Sequence, residues 1–278
     1  MTSFRTVSPP TIPLYITRHS AYTIHMDTVA NILEVKHLNA YQTSAASELS
    51  GGRKQNRRQI LFDVSFCLKE GEILGLAGRS GSGKTTLAKT ILHINKDYDG
   101  TIEHFSERPQ MIFQDPVSAL NPARKIAWIL EEPLKIAGGL SKDERKQRVR
   151  EMLAHVGLAA QDTALVVQDA ALVAKDATLE SILTRYPGQL SGGQRQRLMI
   201  AAALMNQPRL LIADEPVSAL DAKVEEQILE LLKSLHKQMG LSIILISHDM
   251  RVLKKMCTRL LIMDQGHLSD GDMELGLL

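Results

Sequence analysis

Apolar and polar positions along this chain follow two rhythms. From Ile32, ILEVKHLNAY reads as a strand, followed by the polar loop TSAASELSGGRKQNRRQ and a second strand, ILFDVSFCLKEG. EILGLAG is an unbroken apolar run that feeds a glycine-rich loop, and TTLAKTILHI follows it with helical spacing. RPQMIFQDP is a further strand ending in a turn. From Pro122 to about Leu190 the chain is rich in helix formers, with a period near 3.6 and little β-branching. The last third alternates: helix QRQRLMIAAALMN, strand RLLIADEP, helix KVEEQILELLKSLHKQMG, strand SIILISHD, helix MRVLKKMC, strand RLLIMDQG. Strands alternating with helices on both sides of a helical middle predict an α/β core with a mostly parallel sheet, interrupted by a helical insertion.

The insertion carries a repeat. Residues 161–181 read QDTALVV, QDAALVA, KDATLES, which spaces Asp162, Asp169 and Asp176 seven apart, and Leu165, Leu172 and Leu179 likewise. Seven residues are nearly two helical turns, so each set lies on one slowly drifting stripe. Two readings follow: a coiled-coil contact surface, or a tandem duplication that merely lengthens a surface helix. Three heptads are short for a coiled coil, which favours the second.

Composition narrows the class. A chain of 278 residues with 44% hydrophobic and 23% charged residues is ordinary for a globular protein. A net charge of +2 gives no argument for a nucleic-acid partner. Cys67 and Cys257 stand far apart in apolar runs and make neither a disulfide framework nor a zinc spacing, so a reducing compartment is expected. No apolar run approaches the roughly 20 residues that span a bilayer, so any membrane role would pass through a partner chain. The segment 1–30 lacks acidic residues before Asp27 and lacks the apolar centre of a secretory signal; it reads as a disordered leader, with Met26 a candidate start.

The chemistry concentrates at strand ends. Gly78, Arg79, Ser80, Gly81, Ser82, Gly83, Lys84 and Thr85, with Thr86 following, fit G-x-x-x-x-G-K-[ST] between an apolar strand and a helix. Such a loop turns backbone N–H groups onto phosphate oxygens; Lys84 reaches the terminal phosphates and the Thr85 hydroxyl can ligate Mg²⁺. LLIADE ends in two carboxylates: Asp214 is placed for a magnesium contact, and Glu215 to orient or deprotonate a water. Carboxylates at a strand end also cap helices, so this pair draws its weight from the phosphate loop. Gln114 closes QMIFQ, within reach of the metal or the water, and His248 closes IILISHD, where an imidazole could touch a γ-phosphate. Open parallel sheets gather ligands at the carboxyl ends of their strands.

A second candidate phosphate turn, RYPGQLSGGQRQR, lies about a hundred residues after the first. Together with Gln114, Asp214-Glu215, Ser218-Ala219-Leu220-Asp221 and His248 in this order, it resembles the ABC-type ATPases, over nearly all of the chain from Leu33 to about Gly271. QDPVSALNP after Gln114 resembles in particular the ATPases of peptide, dipeptide and nickel importers.

That resemblance implies a P-loop NTPase (RecA-like) core over 31–115 and 200–278, an N-terminal antiparallel β part, and a helical subdomain at 116–199, all in one domain from 31 to 278. It implies ATP and Mg²⁺, with Lys84, Gln114, Glu215 and His248 catalytic and Thr85, Gln114 and Asp214 toward the metal. Tyr41 is the candidate for stacking on adenine, plain strand-end packing being its alternative. Ser191, Gly192, Gly193 and Gln194 would close over ATP held by a second ATPase subunit, identical or paralogous, with Asp221 at the seam. Two half-sites facing each other would explain two phosphate turns in one domain. Arg195 and Arg197 read as solvated or ion-paired helix residues. The further partners implied are membrane permease subunits and, indirectly, a substrate-binding protein, which puts the chain at the cytoplasmic face of a membrane. The short stretch after GHLSDGD, the short connection from Ile102 to Met111 and the heptad insert depart from oligopeptide members and lean toward nickel or short peptides. Two other functions fit an ATPase cassette less well: a non-transport role in repair, translation or assembly, and an ATP-gated scaffold.

Overall fold

The computed structural model describes residues 30–44, 56–158 and 179–272. The leader, Met26 and most of the heptad repeat lie outside the described residues; of the repeat, 179–181 fall within them.

Two sheets form. Strands β1 (Asn31–Ser44), β2 (Asn56–Lys69) and β4 (Tyr98–His104) make an antiparallel sheet in the order β2-β1-β4. The second sheet runs β5-β6-β7-β3-β8-β9, from β3 (Ile73–Ala77), β5 (Gln110–Ile112), β6 (Leu210–Asp214), β7 (Ser242–Ile246), β8 (Arg259–Asp264) and β9 (His267–Gly271). It is parallel except for the β8–β9 hairpin.

β3, β6 and β7 are five residues each and buried throughout, as strands covered on both faces must be. Their side chains alternate between two cores. Leu210, Ile212, Ile244, Ile246, Leu74 and Leu76 pack toward the antiparallel sheet and helix α1 (Lys84–Ile91). Leu211, Ala213, Ile243 and Leu245 face the opposite core, shared with the helices. Each fully buried leucine or isoleucine contributes about 1.5–3 kcal/mol, so the central sheet is held from both sides.

Between β5 and β6 every described element is helical: α2 (Pro116–Ala119), α3 (Ile126–Ala137), α4 (Lys142–His155), a helix described over 179–184, and α5 (Gly192–Leu204). The ends of these helices are written in the sequence. Asp115 accepts from the Val117 and Ser118 amides at the start of α2, and Ser141 with Glu144 makes a reciprocal capping box on α4. The chain returns to the sheet through β6, α6 (Ala222–Met239) and α7 (Met250–Met256). α6 buries Ile228, Leu229, Leu232 and Leu235, one stripe at helical spacing, and stops at Gly240 in the left-handed region, φ 63°.

Three elements differ from the sequence reading. β2 begins at Asn56, so NRRQ, read as loop, continues the strand and pairs Gln59 with Tyr41 and Arg58 with Gln42. β4 was not anticipated, because YDGTIEH has little apolar alternation; it is placed by ladder pairs such as Val35↔Ile102. β9 likewise exists by pairing with β8.

Cys67 and Cys257 are free thiols, and burial pushes the Cys257 thiol up to about 12, so it remains protonated at neutral pH.

Candidate functional site

Four strands of the second sheet deliver polar groups to one edge. The loop Gly78–Gly83 leaves β3 and enters α1, whose residue before the first turn, Gly83, is left-handed at φ 113°. Gly78 has φ 151°, and a Cβ there would lie 2.3 Å from the Met263 carbonyl oxygen. Only glycine fits so close a pass between the loop and β8. Gly78→Ala is therefore expected to cost about 1–3 kcal/mol in backbone strain alone, lowering the melting temperature by about 2–5 °C and weakening nucleotide binding. A melt within about 1 °C of the parent would contradict it.

Lys84 is 6% exposed and its ammonium donates to the carbonyls of Gly78 and Arg79 at 2.7 and 2.9 Å. Burial lowers its pKa, against the raising effect of Glu215 and Asp214. Thr85 Oγ1 donates to Asp214 Oδ2 at 2.8 Å. Asp214 is 3% exposed, and burial raises its pKa; the Thr85 hydrogen bond opposes this, Glu215 adds to it, and Lys84 and Lys89 oppose it.

Glu215 follows β6 in a left-handed conformation, φ 46°, with its N–H donating to the Ile246 carbonyl at 3.0 Å. A non-glycine residue held there is strained, and the turn redirects its side chain away from that of Asp214. Its carboxylate meets two partners. Gln114 Nε2, one residue beyond the strand-flanking Phe113 after β5, donates to Oε2 at 3.1 Å; His248 Nδ1, after β7, lies 3.1 Å from Oε1. Gln114, Glu215 and His248, predicted separately at three strand ends, thus form one hydrogen-bonded unit. Beside it lies a shallow cleft lined by Gln114, Asp115, Gly192, Arg195, Glu215 and Ser218.

Thr85 and Asp214 present oxygen donors side by side at the end of the phosphate loop, with the Gln114 amide on the neighbouring strand. Such a set suits a hard divalent cation that takes few protein ligands and completes its shell from phosphates and water. Among the described residues no group of three or more His, Cys, Asp or Glu side chains could hold a metal by themselves.

The Ser-Gly-Gly turn is placed differently. Ser191 caps α5: its hydroxyl accepts from the Gln194 amide at 3.3 Å, and Gln194 Oε1 accepts from the Ser191 amide at 2.9 Å. Gly193 passes α6 so closely that a Cβ would stand 2.7 Å from Val224 Cγ1, and Gly192 lies near Leu220. Asp221 caps α6 through the Val224 amide at 3.0 Å. The starts of α5 and α6 therefore sit together as one surface, and Gly192 and Arg195 reach the cleft beside Glu215. Arg195 and Arg197, expected as solvated or ion-paired, instead donate to the backbone carbonyls of Leu190 and Val156, each at 2.6 Å. Burial lowers the Arg197 pKa.

Tyr41 is half-buried on β1, under the guanidinium of Arg57, which lies 3.5 Å from the ring centroid. Arg57 was missed because its segment reads as polar loop. The only signal for it is that NRRQ continues, without a turn residue, into ILFDV. Ser80, Gly81 and Arg79 are exposed on the loop; Ser82 is buried, and Thr86 accepts from the Thr90 hydroxyl at 2.7 Å.

A strand, a glycine loop and a helix N-terminus, with carboxylates at the tip of a second parallel strand of the same sheet, define a P-loop nucleotide-binding α/β domain. The family model for the ABC transporter matches residues 61–218, more than half of the sequence, and the chain belongs to that family. It is 39% identical over 270 residues to the oligopeptide transport ATP-binding protein OppF of Haemophilus influenzae, covering 90% of this chain and 74% of that protein. It is 34% identical over 256 residues to the nickel import ATP-binding protein NikE of Shigella dysenteriae, covering 87% and 85%. Of the Escherichia coli OppF it spans 60%. Among solved structures it is similar to the ATP-binding cassette MJ0796, a dimer in a post-hydrolysis state bound to ADP and Pi. The TM-score is 0.66 and the identity 25%, over 87% of this chain and 99% of that one. In class, the chain is an ABC-type ATPase.

Proposed function

We propose that the chain is the ATP-hydrolysing subunit of a membrane importer for peptides or nickel complexes. The observation that carries the chemistry is the Glu215 carboxylate held between Gln114 and His248, beside the Thr85–Asp214 pair and Lys84. Glu215 is the base that positions and deprotonates the attacking water. Lys84 and the loop amides from Gly78 to Thr86 bind and neutralise the phosphates, and His248 senses the γ-phosphate. Thr85, Asp214 and Gln114 would hold magnesium, which would supply charge neutralisation at the phosphates. Tyr41 stacks on adenine.

Ser191, Gly192, Gly193 and Gln194, with Asp221 beside them, serve the nucleotide of a second ATPase subunit. The joining of the two helix starts into one surface supports this, as does the dimeric state of the similar cassette. No described helix is long and apolar enough to cross a membrane, which fits peripheral attachment to permease chains at the cytoplasmic face. The names of its relatives support peptide or nickel cargo, delivered by a substrate-binding protein.

Reconstitution tests this reading. In liposomes with its permease and binding protein, hydrolysis should rise when the binding protein is loaded with short peptide or with a nickel complex. Full-speed hydrolysis by the chain alone, indifferent to permease and cargo, would favour a non-transport ATPase instead.

A further inference from the structure

Tyr41 is tied to the phosphate loop through a continuous line of contacts. Its N–H donates to the Asp97 carbonyl at 2.9 Å, and its carbonyl accepts from Asn95 Nδ2 at 3.3 Å. The same Asn95 amide lies 3.2 Å from Thr90 Oγ1, whose hydroxyl donates to the Thr86 carbonyl at the end of the loop motif. The ring is fixed as well as the backbone. Arg57 lies over it at 3.5 Å, and that guanidinium is pinned in turn, with Nε and Nη2 donating to Asp97 Oδ1 at 3.0 and 2.7 Å. Asp99 stands 3.9 Å away.

We propose that Arg57, anchored by Asp97, is a positioning residue that holds the Tyr41 ring as a rigid base-stacking platform at a fixed reach from the phosphate loop. This rests on the reading of Tyr41 as the adenine contact. A ring with free rotamers loses entropy when a base stacks on it; a guanidinium already seated on one face has removed that freedom beforehand. A planar base can then stack on one face alone, the one Arg57 leaves. The charge of Arg57 is matched by Asp97 and Asp99, so its effect falls on the base and not on the phosphates.

Calorimetric titration with Mg·ADP and, separately, with Mg·pyrophosphate tests this without hydrolysis. Arg57→Ala should weaken ADP binding about five- to tenfold while pyrophosphate affinity stays within about twofold. Arg57→Lys should fall between, because it retains charge but loses the planar fork that both stacks and grips Asp97. Tyr41→Ala should weaken ADP at least as much as Arg57→Ala. Parent-like ADP binding by Arg57→Ala, with Tyr41→Ala impaired, overturns the role of Arg57 and leaves the platform standing. Parent-like ADP binding by Tyr41→Ala overturns the platform and the role of Arg57 together. Equal loss of ADP and pyrophosphate in Arg57→Ala makes Arg57 a support of the fold, which also overturns the proposal.

Discussion

Glu215→Gln is expected to lower ATP turnover by about 10²–10⁴-fold, the range for removing a positioned general base, while leaving ATP affinity near that of the parent. The carboxylate presents two acceptor oxygens, one to Gln114 Nε2 and one to His248 Nδ1, each at 3.1 Å. An amide of the same shape still accepts from Gln114 Nε2 and can donate to His248 Nδ1 in its other tautomer, so the site keeps its shape but loses the group that takes a proton. The left-handed backbone at 215 is part of the same design: a strained turn is kept where side-chain direction matters. Steady-state hydrolysis beside equilibrium ATP binding separates the two effects. Turnover within about threefold of the parent would remove Glu215 from the role of base.

Asp214→Asn is the second large effect, and it carries opposite signs for activity and stability. Asp214 is nearly sealed from solvent, and burial raises its pKa above the ordinary value of 3.8 in spite of Thr85 and Lys84. A raised folded-state pKa gives stability that is complete below the unfolded value and is lost as pH rises through the folded one. At neutral pH the ionised carboxylate is thus a cost to the nucleotide-free fold. Asparagine keeps an acceptor for the Thr85 hydroxyl without the buried charge. The variant should melt higher than the parent near neutral pH, with the gap closing as pH falls and Asp214 takes up its proton. Magnesium-dependent hydrolysis should fall about 10- to 100-fold or more. A lower melting temperature at every pH would refute the burial argument, and unimpaired hydrolysis would refute the metal role.

How much of this was legible in the sequence depends on what each residue leans on. The five-residue runs of β3, β6 and β7 are buried on both faces, so their apolar character is continuous and visible. Their tips were visible too, as polar residues ending apolar runs: the fold brings Gln114, Glu215 and His248 within hydrogen-bond reach of one another and sets Asp214 against Thr85. β4 and β9 were not legible. Both are largely exposed, and they are held by ladder hydrogen bonds that any polar residue can make. The start of β2 escaped for the same reason, and with it Arg57, whose meaning lies wholly in what it faces across the strand pair. Nor could the sequence reveal that Glu215 sits at positive φ, with its N–H on the Ile246 carbonyl. That Ser191 and Gly193 share one surface with Asp221 needed the fold, because it depends on α5 and α6 starting side by side.

The central claim is that two chains complete one nucleotide site. Light scattering on the Glu215→Gln variant, with its companion ATPase subunit present where one exists, measures this directly. With Mg·ATP the account predicts a mass that doubles and returns to that of single chains when nucleotide is removed. A single-chain mass at saturating Mg·ATP, with ATP binding verified in the same sample, would contradict it.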